Sequence, residues 1–317
     1  MGITDRLNLP VPKSSIPKMQ FMKSSLDRLY TSFNHPESAF DPIQVVRRYE
    51  RLDDREVVGF LAAGLAFGRV QSVVNSIEAV CAAMGAAPAA FVREFEPARD
   101  GGPLRGLVHR WTRGEDLIAV LWILRQLIAA HGSLEAAFAA GLDPAVPDVG
   151  PALDAFSERA RAVDLRPAYG RRPRTPGAWY FFTRPSTGSA CKRLNLFLRW
   201  MVRKDGVDPG GWTSVPARQL VVPLDTHTIR VGRCLGLTRR ASPGWKMAVD
   251  ITAALRAHDP VDPVRYDFAL CHLSMMGACG YATKIGDTQC PLRGHCKPRR
   301  RAAGRRADLQ VRQSRRT

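Results

Sequence analysis

Two side chains in the stretch from Ser186 to Leu237 offer chemistry: Lys192 and, 33 positions later, Asp225. An uncharged lysine amine attacks electrophilic carbon and forms a Schiff base, and it works best with an acidic partner that takes or steers its proton. Gly188 and Ser189 read as helix start signals, with Ser189 the expected N-cap, so Lys192 falls in the first turn of a helix. The partial positive charge of a helix N-terminus favours a free amine over an ammonium. Asp225 follows the breaker Pro223 and opens a second helix at or near its N-cap. Each residue also has a plainer reading, Lys192 as one solvated lysine among many and Asp225 as an ordinary cap. His227 reads more simply as a packed or surface histidine than as a catalyst. Arg230 and Arg233 suit phosphates or solvent equally.

The two helices must hold this pair in place. In the first, Leu194, Phe197, Leu198 and Met201 recur at i, i+3, i+4, i+7 and predict a core-facing stripe. Lys192, Leu196, Arg199 and Arg203 fall on the opposite side, so the basic residues are expected to share one face. In the second, Leu224, Thr228, Val231 and Leu235 line one side. A Gly/Pro-rich connection joins the two.

The rest of the chain is predicted to be helical. Lys18 to Phe33 carries Phe21, Leu26, Leu29 and Phe33 roughly on one side. Asp41-Pro42 is a helix entry, and Asp53 or Asp54 is expected to cap the small-residue and apolar run EVVGFLAAGLAFG. Val70 to Met84 is another helix. LIAVLWILRQLIAAHG, opened by Arg113-Gly-Glu-Asp, is apolar nearly all round and reads as central. Ser133 to Ala140, Pro151 to Ala162, Pro243 to His258 and Asp262 to Met276 follow as helices, and no period-two strand pattern stands out through residue 140. The expected fold is all-α. Residues 1–15 read as flexible, residues 16–296 as one two-lobed domain with its boundary at the turn-rich segment 143–150, and residues 297–317 as a basic disordered tail.

Residues 165–188 differ in kind. Arg171, Arg172, Arg174 and Arg184 are interleaved with Tyr169, Trp179, Tyr180, Phe181 and Phe182, a mixture suited to phosphate contact with base stacking or wedging. Phe181 and Phe182 read rather as anchors that pin the loop to the core. The four arginines, with Arg193, Arg199, Arg203, Arg230 and Arg233, are the candidate DNA contacts.

Charge points the same way. The 317-residue chain carries a formal net charge of +18 at 45% hydrophobic content, a globular composition that favours polyanionic partners. The segment after Cys296 holds nine Lys/Arg and one Asp, a net +8, which leaves +10 on the preceding residues. No run of eighteen apolar residues is present and the first residues lack the apolar core of a signal peptide, so neither a membrane span nor export is expected. Seven cysteines, an odd number gathered toward the C-terminus, then suggest metal ligation or free thiols rather than a disulfide framework.

The run Asp225-Thr-His-Thr-Ile-Arg-Val-Gly-Arg-Cys-Leu-Gly-Leu237 resembles the corresponding segment of the helix-hairpin-helix DNA glycosylases typified by endonuclease III. The resemblance implies an all-helical, two-lobed glycosylase-like fold with the site between the lobes, Asp225 as the acid that activates the nucleophile, and Lys192 as that nucleophile. The characteristic hairpin Leu-Pro-Gly-Val-Gly-x-Lys is absent; Arg184-Pro-Ser-Thr-Gly-Ser-Ala-Cys-Lys192 stands in its place, with stretched spacing. The distance from Lys192 to Asp225 is closer to that of the archaeal 8-oxoguanine glycosylases, which implies an oxidised purine as substrate. Ser189 to Arg203 and Asp259 to Leu270 also resemble an uncharacterised bacterial family of unknown function. The superfamily's C-terminal Cys-x6-Cys-x2-Cys-x5-Cys loop implies a [4Fe-4S] cluster. Here Cys290-x5-Cys296 matches the last pair, Cys279 stands one residue from the first position, and Asp287 occupies the second. Cys271 is the candidate fourth ligand; zinc with His272 or His295, or no metal, are the alternatives. The resemblance thus implies base-excision repair, by an N-glycosylase with or without AP-lyase activity, or a non-catalytic nucleic-acid-binding protein on the same fold. The expected partner is double-stranded DNA, bound by a cytoplasmic, nucleoid-associated monomer.

Overall fold

Helices account for nearly all the regular structure of this protein, seen in a computed structural model that describes residues 18–38, 40–277 and 290–296. They are α1 (Lys18–Phe33), α2 (Ile43–Val46), α3 (Leu52–Leu65), α4 (Val70–Met84), α5 (Pro88–Glu94), α6 (Pro97–Asp100), α7 (Gly114–His131), α8 (Leu134–Ala139), α9 (Gly150–Ala162), α10 (Arg166–Tyr169), α11 (Lys192–Val202), α12 (Thr226–Cys234), α13 (Trp245–Arg256) and α14 (Asp267–Met275). The all-α expectation holds, with one exception. Val108–His109 (β1) and Thr112–Arg113 (β2) pair antiparallel as a small hairpin, whose turn residue Arg110 takes a left-handed φ of 55°. Among the described residues no single helix is long and apolar enough to cross a membrane.

Helix α3 lies at the centre. Its residues from Glu56 to Leu65 are all buried, which is why its apolar pattern shows almost no preferred face. Its glycines allow close approach. A Cβ on Gly64 would lie 2.3 Å from the Phe181 ring, and one on Gly59 would lie 2.9 Å from Met201. Helix α11 packs chiefly on α3, whereas α12 packs on α14 and α1 also packs on α14. The segment 143–150 is tied down: Gln219 Nε2 donates to the carbonyls of Asp143 and Val146, and Val149 N donates to Gln219 O.

A buried ion network joins the two packing groups. Arg199 pairs with Asp208 at 3.1 Å and Asp267 at 2.7 Å; Arg203 pairs with Asp205 at 2.6 Å, Asp262 at 2.9 Å and Asp208. The expected basic face of this helix is therefore not a surface. Leu194, Phe197, Leu198 and Met201 do face the core, but the opposite side is roofed by the turn at 205–208 and the start of α14. Four aspartates there surround two guanidinium groups, so neither buried positive charge is left unpaired.

Candidate functional site

Lys192 is the first residue of α11. The helix is capped not by Ser189 but by Cys191, held at φ 48° just after Gly188 at φ 83°. A left-handed non-glycine costs about 1 kcal/mol and persists only where its surroundings over-determine it. Here the Ser189 hydroxyl accepts from Cys191 N at 3.2 Å, and Asn195 Nδ2 donates to Ala190 O at 3.1 Å. This braced turn fixes the direction in which the lysine leaves the helix. Its Nζ donates to the carbonyl of Ala66, just past the end of α3, at 3.0 Å, and lies 4.0 Å from Asp225 Oδ2.

Asp225 is the N-cap of α12. Its Oδ1 accepts from His227 N at 2.9 Å and Thr228 N at 2.8 Å, a cap worth about 1 kcal/mol. That leaves Oδ2 directed elsewhere, where it meets Lys192 Nζ and, at 3.5 Å, Cys271 Sγ. The capping contacts and the Lys192 contact therefore use different oxygens of one carboxylate. Burial, with the Asp225 and Asp267 charges nearby, pushes the Cys271 thiol up, so it is an S–H donor to Asp225 rather than a thiolate. His227 Nδ1 meets Ser274 Oγ at 3.2 Å and packs as expected. Thr228 Oγ1 donates to Asp267 Oδ1 at 3.3 Å, which anchors the start of α12 to the buried network.

Beside the lysine stands an aromatic ledge. Phe67, next to Ala66, stacks on Trp111 at the hairpin tip, with ring centroids 4.4 Å apart and planes 15° apart. Tyr180 stands 6.5 Å beyond Trp111. Trp111 is 51% exposed and Tyr180 57%, an unusual degree for rings so placed. Below them, His109 Nε2 meets Phe67 O at 3.0 Å and its Nδ1 meets Ser76 Oγ at 2.9 Å. A carbonyl only accepts, so Nε2 carries the proton, and burial lowers the histidine's affinity for a second one. Phe67 and Trp111 were not among the sequence-based candidates. Phe40, also exposed, has no ring partner among the described residues.

The nine candidate arginines separate by environment. Arg171, Arg172, Arg174 and Arg230 are exposed. Arg184 pairs with Glu158 at 2.9 Å, and Arg233 donates to the carbonyls of Arg240 and Ala241. Arg193 packs on the aromatic ledge. Its guanidinium lies 4.5 Å over the Phe67 ring and donates to Tyr180 O, and burial pushes its pKa down to about 10, so it stays charged at neutral pH. Arg199 and Arg203 are corrected: both are buried in the carboxylate network and unavailable to phosphates. Phe181 and Phe182 are buried anchors, as expected.

Three of the four cysteines named for the cluster motif, Cys271, Cys290 and Cys296, lie among the described residues. Cys279 lies outside the described residues, as do Asp287 and residues 1–15 and 297–317. Cys271 is engaged with Asp225 and, at 3.9 Å, Met275, while Cys296 Sγ contacts Leu292 O. Cys290 is buried. His272 is wedged between Phe268 and Asp41, and His295 stacks on Phe21. Among the described residues no three His, Cys, Asp or Glu side chains converge to hold a metal ion.

A family model described as "Protein of unknown function (DUF2400)" matches residues 41–276. The match spans Lys192, Asp225, the hairpin and the arginine-rich loop. No curated protein and no solved structure matches the chain.

Proposed function

Starting from the fact that the chain belongs to the DUF2400 family, we propose that it is a DNA N-glycosylase of the base-excision type, with a two-lobed glycosylase-like fold and Lys192 as nucleophile. The observation that carries this reading is the split duty of Asp225, whose capping oxygen is satisfied while Oδ2 faces Lys192 Nζ at 4.0 Å. A damaged nucleotide flips from the duplex, at lower cost where its pairing is already weakened. Asp225 Oδ2 takes a proton from the Lys192 ammonium as the amine leaves the Ala66 carbonyl. The freed lone pair attacks the anomeric carbon, the N-glycosidic bond breaks, and the base departs with the bonding electrons and is protonated. Ring opening then gives a Schiff base, from which β-elimination cleaves the strand. The exposed Arg171, Arg172, Arg174 and Arg230 suit phosphate contact, and Trp111 with Tyr180 suits support of the opened duplex. By the resemblance to the archaeal enzymes the substrate base is an oxidised purine.

A second reading has its own observation. Lys192 Nζ donates to a carbonyl at the C-terminal end of α3, where a lysine also serves as a structural cap. On that reading the protein binds nucleic acid without chemistry. Base release separates the two. Incubation with duplexes carrying 8-oxoguanine or uracil yields free base if the glycosylase reading holds, and Asp225→Asn abolishes release. Tight duplex binding with no base released from any lesion supports the second reading and overturns the first.

A further inference from the structure

A cavity of about 630 Å³ lies against Trp179, in the size range of small-ligand sites. Four arginines line it, Arg161, Arg166, Arg172 and Arg174, with Asp164 as their single acidic companion. Asp164 is already committed: its Oδ2 pairs with Arg166 at 2.7 Å, and its Oδ1 accepts from Arg166 N. Among the described residues no carboxylate pairs with Arg161, Arg172 or Arg174. With Asp164 paired to Arg166 and only its field reaching Arg172, the lining side chains leave the cavity a net positive charge of three, a field that favours an anion.

The wall opposite is structured. The Arg161 guanidinium lies 4.5 Å over the Trp179 ring, a cation–π contact that holds it against the cavity wall. The Trp179 indole nitrogen is buried with no hydrogen-bond partner, although buried donors are nearly always satisfied. Arg172 and Arg174 are exposed on the rim. Guanidinium groups match the planar, bidentate geometry of phosphate oxygens.

We infer that this cavity is a binding site for a terminal phosphate monoester, carried by a free mononucleotide or by the 5′ or 3′ end of a nucleic-acid strand. A diester in a continuous backbone brings one negative charge. A monoester brings about −1.5 to −2 at neutral pH with three acceptor oxygens, which balances three guanidinium groups more nearly. The site shares Arg172 and Arg174 with the phosphate contacts proposed above but does not involve Lys192, and it stands whether or not Lys192 is a nucleophile.

The test compares paired ligands that differ only by that phosphate. Affinities are measured for single-stranded hexamers with a 5′-phosphate, a 3′-phosphate or hydroxyl ends, and for dAMP against deoxyadenosine, with hexaglutamate as a charge control. The expected result is binding about tenfold or more tighter for a phosphorylated member, the scale of one or two charge-assisted contacts. The preference is lost in Arg172→Ala/Arg174→Ala and kept in Lys192→Ala. Both mutated side chains are exposed, so an unchanged melting temperature shows that the variant is folded. The arm that responds identifies the source of the phosphate. Equal affinity for phosphorylated and unphosphorylated forms, a preference that survives the double substitution, or hexaglutamate binding as tightly overturns the inference.

Discussion

Replacing Arg199 by Met tests the claim that this arginine is an internal counter-ion and not a DNA contact. The substitution keeps most of the side-chain length and removes the charge that pairs with Asp208 and Asp267. Breaking a buried pair from one side costs about 3–5 kcal/mol. The structure adds a pH signature. Burial pushes the Asp267 carboxyl up to about 6 even with Arg199 beside it. A carboxyl raised in the folded state binds its proton more tightly there than in the unfolded chain, so stability falls as pH rises from the unfolded value to the folded one, then levels off. In the native protein that decline ends near pH 6. Without Arg199 the folded pKa rises further, so the decline continues through about pH 7.5 at about 1.4 kcal/mol per pH unit. The variant is therefore worse, relative to the native protein, by about 2 kcal/mol more at about pH 7.5 than at about pH 5. Urea unfolding followed by tryptophan fluorescence at both pH values measures this. The slope of DNA affinity against salt stays unchanged at permissive temperature, whereas losing a phosphate contact would lower it by about one. A penalty equal at the two pH values, or a salt slope reduced by one, refutes the reasoning.

Three further outcomes follow from the packing around the site. Gly64→Ala puts a methyl group 2.3 Å from the Phe181 ring and destabilises by about 1–3 kcal/mol through overpacking, seen as a lower urea midpoint at unchanged m-value. His109 has its pKa lowered by burial, so its contribution to stability is complete above about pH 6.5 and is lost as pH falls through that value toward the folded pKa; His109→Gln flattens this part of the melting-temperature profile between about pH 7 and 5. Trp111→Ala removes an exposed ring and leaves the fold intact, yet weakens binding to lesion-containing duplex by about 1–3 kcal/mol; a loss equal to that on single strands lacking a lesion would count against a role in duplex opening.

Much of the helical order was legible in the sequence because its signals are local. Pro223 and Asp225 mark the start of α12, and the spacing of Leu194, Phe197, Leu198 and Met201 marks the buried face of α11. What escaped depends on the tertiary surroundings. Nothing within α11 says that its basic side is covered; the clue lay in the aspartates that follow, Asp205 and Asp208 in the next turn and Asp262 and Asp267 some sixty residues on. The hairpin that presents Trp111 was invisible because two-residue strands show no period, and its turn uses Arg110 at a left-handed φ where Asn or Gly is usual. Residue type marks Asp225 as a cap but does not disclose that only Oδ1 is used for capping while Oδ2 faces Lys192. Spacing along the chain likewise does not disclose that the Cys271 thiol turns toward Asp225.

Borohydride trapping tests the central claim most directly. The protein is incubated with duplexes carrying 8-oxoguanine, uracil or an abasic site, and borohydride is added to reduce any Schiff base to a stable amine. The account predicts a covalent protein–DNA band that disappears in Lys192→Ala and weakens in Asp225→Asn. A band that persists in Lys192→Ala, or none on any substrate that the protein binds, contradicts Lys192 as the nucleophile.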